Sequence, residues 1–155
     1  MGLSIAPFVS TPIPVVRRML LIAELKRGEI LYDLGCGDGR IPIIAAQEFG
    51  AIGVGVDINW GLVRKAKEKV AELGLEGRVR IIHADLFDVD ISPADVVTLY
   101  LTTGANEKVR PKLEKELKAG ARVVSHDFEV PKWRPARIER FKERYRTHNI
   151  YLYRR

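Results

Sequence analysis

The sequence predicts an α/β fold: a single domain on a mostly parallel seven-stranded sheet with an antiparallel C-terminal strand. Two observations predict the parallel part. Short apolar runs alternate with helix-periodic stretches from residue 29 to residue 128, the spacing of βαβ units. That arrangement gives a parallel sheet covered on both faces. A third observation concerns the end of the chain. Residues 148–155 alternate like a strand, whereas Ile138, Phe141 and Tyr145 keep a more helical spacing; we read this tail as a closing antiparallel pair.

The elements follow in order. Thr11 and Pro12 resemble an N-cap and a first-turn proline. Val15, Val16, Met19, Leu20 and Ala23 then recur at helical spacing, with Gly28 as the stop. Residues 29–34 read as a strand, and 40–50 as a helix closed by Gly50. Residues 51–57 form a second strand. Residues 59–74 form an amphipathic helix capped by Asn59 and ended by Gly74. Strands at 78–85 and 94–101, a mostly helical stretch at 106–120 and a strand at 121–128 complete the alternation.

The 155 residues are enough to bury a core without disulfides or structural metals. Cys36 is the only cysteine, which excludes an intrachain disulfide and a cysteine-rich zinc site. No apolar run reaches membrane-spanning length, and the first residues lack the layout of a signal peptide. We expect a monomeric cytoplasmic protein, with residues 1–28 as an N-terminal lid segment and helix. One glutamine, few asparagines and dense charge point to a thermophile. The net charge is +6, yet residues 132–155 alone hold nine Lys or Arg against two Glu. That segment is either a solvated face or a patch for acidic partners such as nucleic acid.

The chemistry is concentrated in the glycine loop. Gly35, Gly37 and Gly39 follow the first strand, at the sheet edge where open α/β folds bind ligands. Bare backbone there lets a ligand approach closely, with free N–H groups from the next helix. A dinucleotide fingerprint needs a small residue at position 40, where this chain has Arg40. The order is instead D-x-G-x-G-x-G. Asp33, two residues before the first glycine, suits an ammonium rather than a pyrophosphate. That argues for S-adenosylmethionine, whose methionine end is zwitterionic and whose sulfonium is cationic. Asp57 ends the second strand, where a carboxylate accepts ribose hydroxyls, and Ile58 follows it. Asp85 ends the third strand, facing the adenine amino group, with the Leu86 amide toward a ring nitrogen. Cys36 reads as a small filler and Asp38 as a cap for the next helix. Trp60 either flanks the adenine or serves the core. Neither histidine pattern nor cysteine content supports a metal site.

Methyl transfer from a sulfonium is a displacement that positioning and desolvation largely supply. A lysine acceptor must be neutral, yet only about 0.04% of it is at pH 7. An apolar or aromatic channel lowers its pKa. The acceptor belongs beyond the fourth strand, where adenine-N6 and glutamine methyltransferases carry an N-P-P-Y-like turn. Tyr100-Leu101-Thr102-Thr103 is not such a turn. Phe128 and Trp133 are candidate channel walls, and Asp127 or Glu129 candidate carboxylates near an amine.

Residues 7–12 (PFVSTP), 32–41 (YDLGCGDGRI), 53–59 (GVGVDIN), 106–133 and 148–153 (HNIYLY) together resemble the archaeal broad-specificity protein-lysine methyltransferases. These are seven-strand Rossmann-like class I enzymes related to the mitochondrial ATP-synthase c-subunit lysine methyltransferases. The resemblance implies methylation of exposed protein lysines with S-adenosylmethionine as donor. It places Thr11 over the methionine end of the cofactor, and Asn106, Phe128 and Tyr100 near the acceptor channel. The family's opening often reads Tyr-Val-Pro-Thr-Pro, against Phe8-Val9-Ser10-Thr11-Pro12 here. The alternatives are an RNA or DNA methyltransferase using the basic tail, a small-molecule methyltransferase, and a non-catalytic adenosine-ligand module.

Overall fold

A computed structural model describes residues 9–155; the expectation for the phenol-lacking position 8 lies outside them. The elements run α1 (Ile13–Ile22), β1 (Ile30–Leu34), α2 (Arg40–Phe49), β2 (Ile52–Asp57), α3 (Trp60–Glu72), β3 (Val79–His83) and β4 (Val96–Leu99). Then come α4 (Thr103–Glu116), β5 (Arg122–His126), β6 (Arg137–Glu143) and β7 (Arg146–Arg154). One sheet holds all seven strands in the order β3-β2-β1-β4-β5-β7-β6. The first five are parallel, and β7 pairs antiparallel with both β5 and β6. The tail is therefore a strand pair, joined by Arg144 and Tyr145 with Glu143 opposite Arg146.

Alternation along each strand sorts the core onto two faces. Leu31, Val96, Val124, Ile150 and Leu152 pack against α1 and α2. Tyr32, Leu34, Val97, Leu99, Val123 and Tyr153 face the other way, under Val109 and Leu113 of α4. On β2 the face toward α2 is bare. A Cβ on Gly53 would stand 2.4 Å from the Pro42 carbonyl oxygen, and one on Gly55 would stand 2.7 Å from Cys36 Sγ. Glycine at both positions seats α2 and its preceding loop directly on the strand, which brings the helix N-terminus to the sheet edge.

Element ends differ from the sequence reading at three points. Helix α1 ends at Ile22, with Gly28 in the following turn at φ +83°. Strand β3 stops at His83, so Asp85 caps a short 3₁₀ turn instead of ending a strand. Helix α4 begins at Thr103 because the Thr102 hydroxyl accepts from the Ala105 amide at 3.0 Å.

Candidate active site

Strand order reverses between β1 and β4, and a cleft of about 480 Å³ opens at the C-terminal ends of the strands there. Thr11, Asp33, Gly35, Asp57, Ile58, Asp85, Leu86 and Tyr100 all line it. The loop before α2 explains its three glycines. Gly35, Gly37 and Gly39 have φ of +83°, +55° and +82°, conformations that side chains with a Cβ resist. A Cβ on Gly39 would also stand 3.0 Å from Ala66 Cβ, so this glycine sets how closely α2 approaches α3. Gly37 and Gly39 thus shape the loop and add nothing to the cleft wall.

The three acids are held in different ways. Asp57 accepts from the Gly37 amide at 2.8 Å and the Asn59 amide at 2.9 Å. It ties the glycine loop to the end of β2 with lone pairs left for the cleft. Asp85 accepts from the Phe87 amide at 3.0 Å. Asp33 is buried, and the Thr98 hydroxyl donates to it at 2.9 Å. Burial pushes the Asp33 carboxyl up to about 8 against the Thr98 hydrogen bond, with Asp57 and Asp38 adding repulsion. A buried acid raised in this way and facing an open cleft is suited to a cationic ligand group, which would restore its charge. The ammonium and sulfonium of S-adenosylmethionine fit that requirement, and the bare loop fits its close approach.

Arg40 has a second role. Its guanidinium pairs with Asp38 at 2.7 Å and donates to the Thr11 carbonyl at 3.0 Å, fastening the N-terminal segment to the glycine loop. Burial favours the neutral Asp38 acid, but the Arg40 hydrogen bonds and charge hold it below its ordinary value. Asp38 also accepts from the Arg40 amide at 3.2 Å, capping α2 from one residue outside its Gly39 N-cap. Cys36 lines the cleft as a buried filler. Burial, with Asp33 and Asp57 nearby, pushes its thiol up and keeps it unreactive.

Beyond β4 and β5 the cleft wall is aromatic. The Tyr100 ring lies 3.9 Å from the His126 ring and 6.2 Å from the Phe128 ring. Burial, then the Asp127 charge, raises the Tyr100 phenol. Phe128 stands behind Tyr100 and Asn106 is fully buried, so neither reaches the cleft wall. The Asn106 amide nitrogen instead donates to the Phe128 and Glu129 carbonyls at 3.2 and 2.9 Å. It clamps the turn that supports the aromatic wall. Trp133 lies elsewhere, edge-on to Tyr153 and donating to Glu114 at 2.8 Å. Trp60 is half-exposed against His83 and lines no part of the cleft. Asp127 is engaged by Arg146 and by the Asn149 amide at 3.1 Å, and Glu129 is exposed.

Thr11 is not an N-cap. Pro12 takes that position, and the Thr11 hydroxyl reaches the buried His126 at 3.1 Å. His126 in turn meets His148 at 2.7 Å. The pairing of these two histidines escaped the sequence reading. Its only trace there was a polar ring at the end of an apolar strand and a second one opening residues 148–153.

With this geometry in hand, the comparisons with known proteins are specific. Residues 33–137 match the model of the ANTKMT methyltransferase domain. The chain is 49% identical over 148 residues to a protein-lysine N-methyltransferase of Saccharolobus islandicus, covering 95% of this chain and 92% of that protein. It is 33% identical to the mouse lysine N-methyltransferase of the ATP-synthase c-subunit, covering 83% of this chain but 51% of the longer mouse protein. A crystal structure described as an RNA methyltransferase from Salinibacter ruber, in complex with S-adenosyl-L-homocysteine, superposes with a TM-score of 0.88 at 45% identity. That match covers 94% of this chain and 93% of the other. The glycine loop, the strand order and these matches agree: the chain belongs to the ANTKMT methyltransferase domain family.

Proposed function

We propose that the protein transfers methyl groups from S-adenosylmethionine to the ε-amines of protein lysines. When bound, that cofactor supplies a methyl group already activated on a sulfonium. Asp33 and the loop around Gly35 hold its amino-acid end, Asp57 and Ile58 the ribose, and Asp85 with the Leu86 amide the adenine. Tyr100 and the rings behind it exclude water from the acceptor side and disfavour a charged amine there. The observation that carries the reading is this aromatic wall beside a cleft otherwise lined with carboxylates. The Saccharolobus relative and the Salinibacter complex support the acceptor and the cofactor respectively. Residues 1–28 act in this reading as lid and helix on a single monomeric, cytoplasmic domain. Among the described residues no helix is long and apolar enough to cross a membrane.

A second reading has its own observations. The Salinibacter relative is described as acting on RNA, and residues 132–155 carry a charge of +7 with histidines neutral. One experiment separates the two. The protein is incubated with methyl-labelled cofactor and a cell extract, and the product is divided between protease and nuclease. Label released by protease and recovered as methyl-lysine is the expected result. Label released by nuclease would transfer the assignment to RNA or DNA.

A further inference from the structure

A chain of polar side chains lies behind the aromatic wall, and nothing in the proposed function uses it. It begins at Thr11, whose Oγ1 is 3.1 Å from His126 Nδ1. It continues from His126 Nε2 to His148 Nδ1 at 2.7 Å. It ends at Arg146, whose guanidinium donates to His148 Nδ1 and to Asp127. Thr11, His126 and His148 are 4%, 0% and 3% exposed. Polar groups buried to that degree are costly unless each is paired, so the direction of every hydrogen bond is constrained.

Arginine has only donors. His148 Nδ1 must therefore accept, and its proton sits on Nε2, which lies 3.7 Å from Glu143. A lone pair on His148 Nδ1 requires an N–H from His126 Nε2. The single proton of a neutral His126 is then used, and its Nδ1 can only accept. The Thr11 hydroxyl must donate there, so its hydrogen points into the protein and its oxygen lone pairs remain for the cleft it lines.

The position of Thr11 indicates what meets that oxygen. Along the sheet edge stand Asp85 after β3, Asp57 on β2, Asp33 on β1, Tyr100 after β4 and His126 on β5. The first three read as adenine, ribose and amino-acid sites, which leaves the β4–β5 end to the acceptor. An amine or ammonium arriving there brings N–H donors and would be repelled by an outward hydroxyl hydrogen. We propose that Arg146, His148 and His126 are positioning residues that fix the Thr11 hydroxyl as the hydrogen-bond acceptor for the incoming lysine amine. This rests on the lysine reading above.

The chain orients the amine and does not deprotonate it. Burial, opposed by Asp127 and helped by His148 and Arg146, lowers His126 to about 4. Against an ordinary lysine near 10.4, proton transfer to it is disfavoured by about six powers of ten. The charged and titratable groups facing the histidine pair are Arg146, Asp127, Glu143 and the Tyr100 phenol. Without the Arg146 charge, His148 can take a second proton and donate from Nδ1. His126 must then carry its proton on Nδ1, and the Thr11 hydroxyl turns its hydrogen toward the cleft.

The test measures methylation of a synthetic lysine peptide and calorimetric affinity for S-adenosylhomocysteine in Thr11→Val, Thr11→Ser and Arg146→Met. Thr11→Val is expected to lower kcat/KM for the peptide about tenfold or more, with S-adenosylhomocysteine affinity within about twofold of wild type. Thr11→Ser keeps the hydroxyl and most of the rate. The ratio of Arg146→Met to wild-type activity is near one above about pH 8 and falls below about pH 7, where a histidine gains its second proton. A Thr11→Val enzyme at wild-type rate, an affinity loss matching the rate loss, or a pH-independent Arg146→Met ratio would overturn the inference. A wild-type protein that leaves the peptide unmethylated would remove the lysine reading and this inference with it.

Discussion

At the β1–β3 end of the cleft, one carboxylate stands at or just past each strand terminus. Two of them are set by nearby loop amides: Gly37 and Asn59 on Asp57, and Phe87 on Asp85. At the β4–β5 end the wall is assembled from distant pieces. Thr11 comes from the segment before α1, Tyr100 from the loop after β4, His126 from β5 and His148 from β7, the strand that inserts between β5 and β6. The first end presents fixed negative charge and bare backbone. The second presents aromatic faces and hydrogen bonds whose direction is set from behind. A small cationic nucleoside ligand suits the first, and a flexible amine that must shed its charge suits the second.

The largest effect should follow from removing the carboxylate that both fixes the loop and faces the ligand. Asp57→Ala is expected to weaken S-adenosylhomocysteine binding about 100-fold or more, since each hydrogen bond to a charged group contributes about 1.5–3 kcal/mol. Equilibrium titration reads this directly, and wild-type affinity would break the comparison at its firmer end.

Asp33→Asn sharpens the comparison through pH. Asp33 is raised from an ordinary 3.8 to about 8, so the folded ligand-free protein binds its proton more tightly than the unfolded chain. That contribution is undiminished below about pH 4 and is lost as pH rises toward 8. His126 acts in the opposite sense. It is lowered from 6.5 to about 4, so the stability lost on acidification falls between those values. The two slopes oppose each other from about pH 4 to 6.5. Wild-type stability should then decline with rising pH chiefly between about 6.5 and 8, by on the order of 1–2 kcal/mol. In Asp33→Asn that decline disappears and a rise between about pH 4 and 6.5 is uncovered. Urea denaturation across this range checks both.

Gly39→Ala tests the packing beneath the carboxylate end. A left-handed backbone and a Cβ 3.0 Å from Ala66 predict a loss of about 1–3 kcal/mol, read as a lower denaturation midpoint. The smallest change is expected away from both ends. Arg17 and Glu48 form an exposed ion pair at 2.8 Å, and Arg17→Met should alter stability by less than about 1 kcal/mol.

The contrast also accounts for what the sequence made legible. Asp33, the three glycines and Asp57 lie within 25 residues of one another. Each answers a local demand, a left-handed φ or a strand terminus, so spacing alone identified them. The β-alternation of residues 148–155 was legible for the same reason. Thr11 was misread because its sequence neighbours make it look like a helix cap, while its hydroxyl is claimed by a histidine 115 positions away. Asn106 was placed at the acceptor, yet its amide is taken by two backbone carbonyls of a turn that follows β5. Trp133 failed similarly, since Glu114 and Tyr153 hold it on the far side of α4 and β7. Local pattern registers what the backbone needs. It does not register which distant partner a polar side chain finds.

The division of the cleft is tested most directly by one calorimetric titration of S-adenosylhomocysteine into wild type, Asp57→Ala and Tyr100→Ala. The account predicts that Tyr100→Ala binds within about twofold of wild type while Asp57→Ala binds about 100-fold more weakly or not at all. Equal losses in both variants, or an unaffected Asp57→Ala, would contradict it.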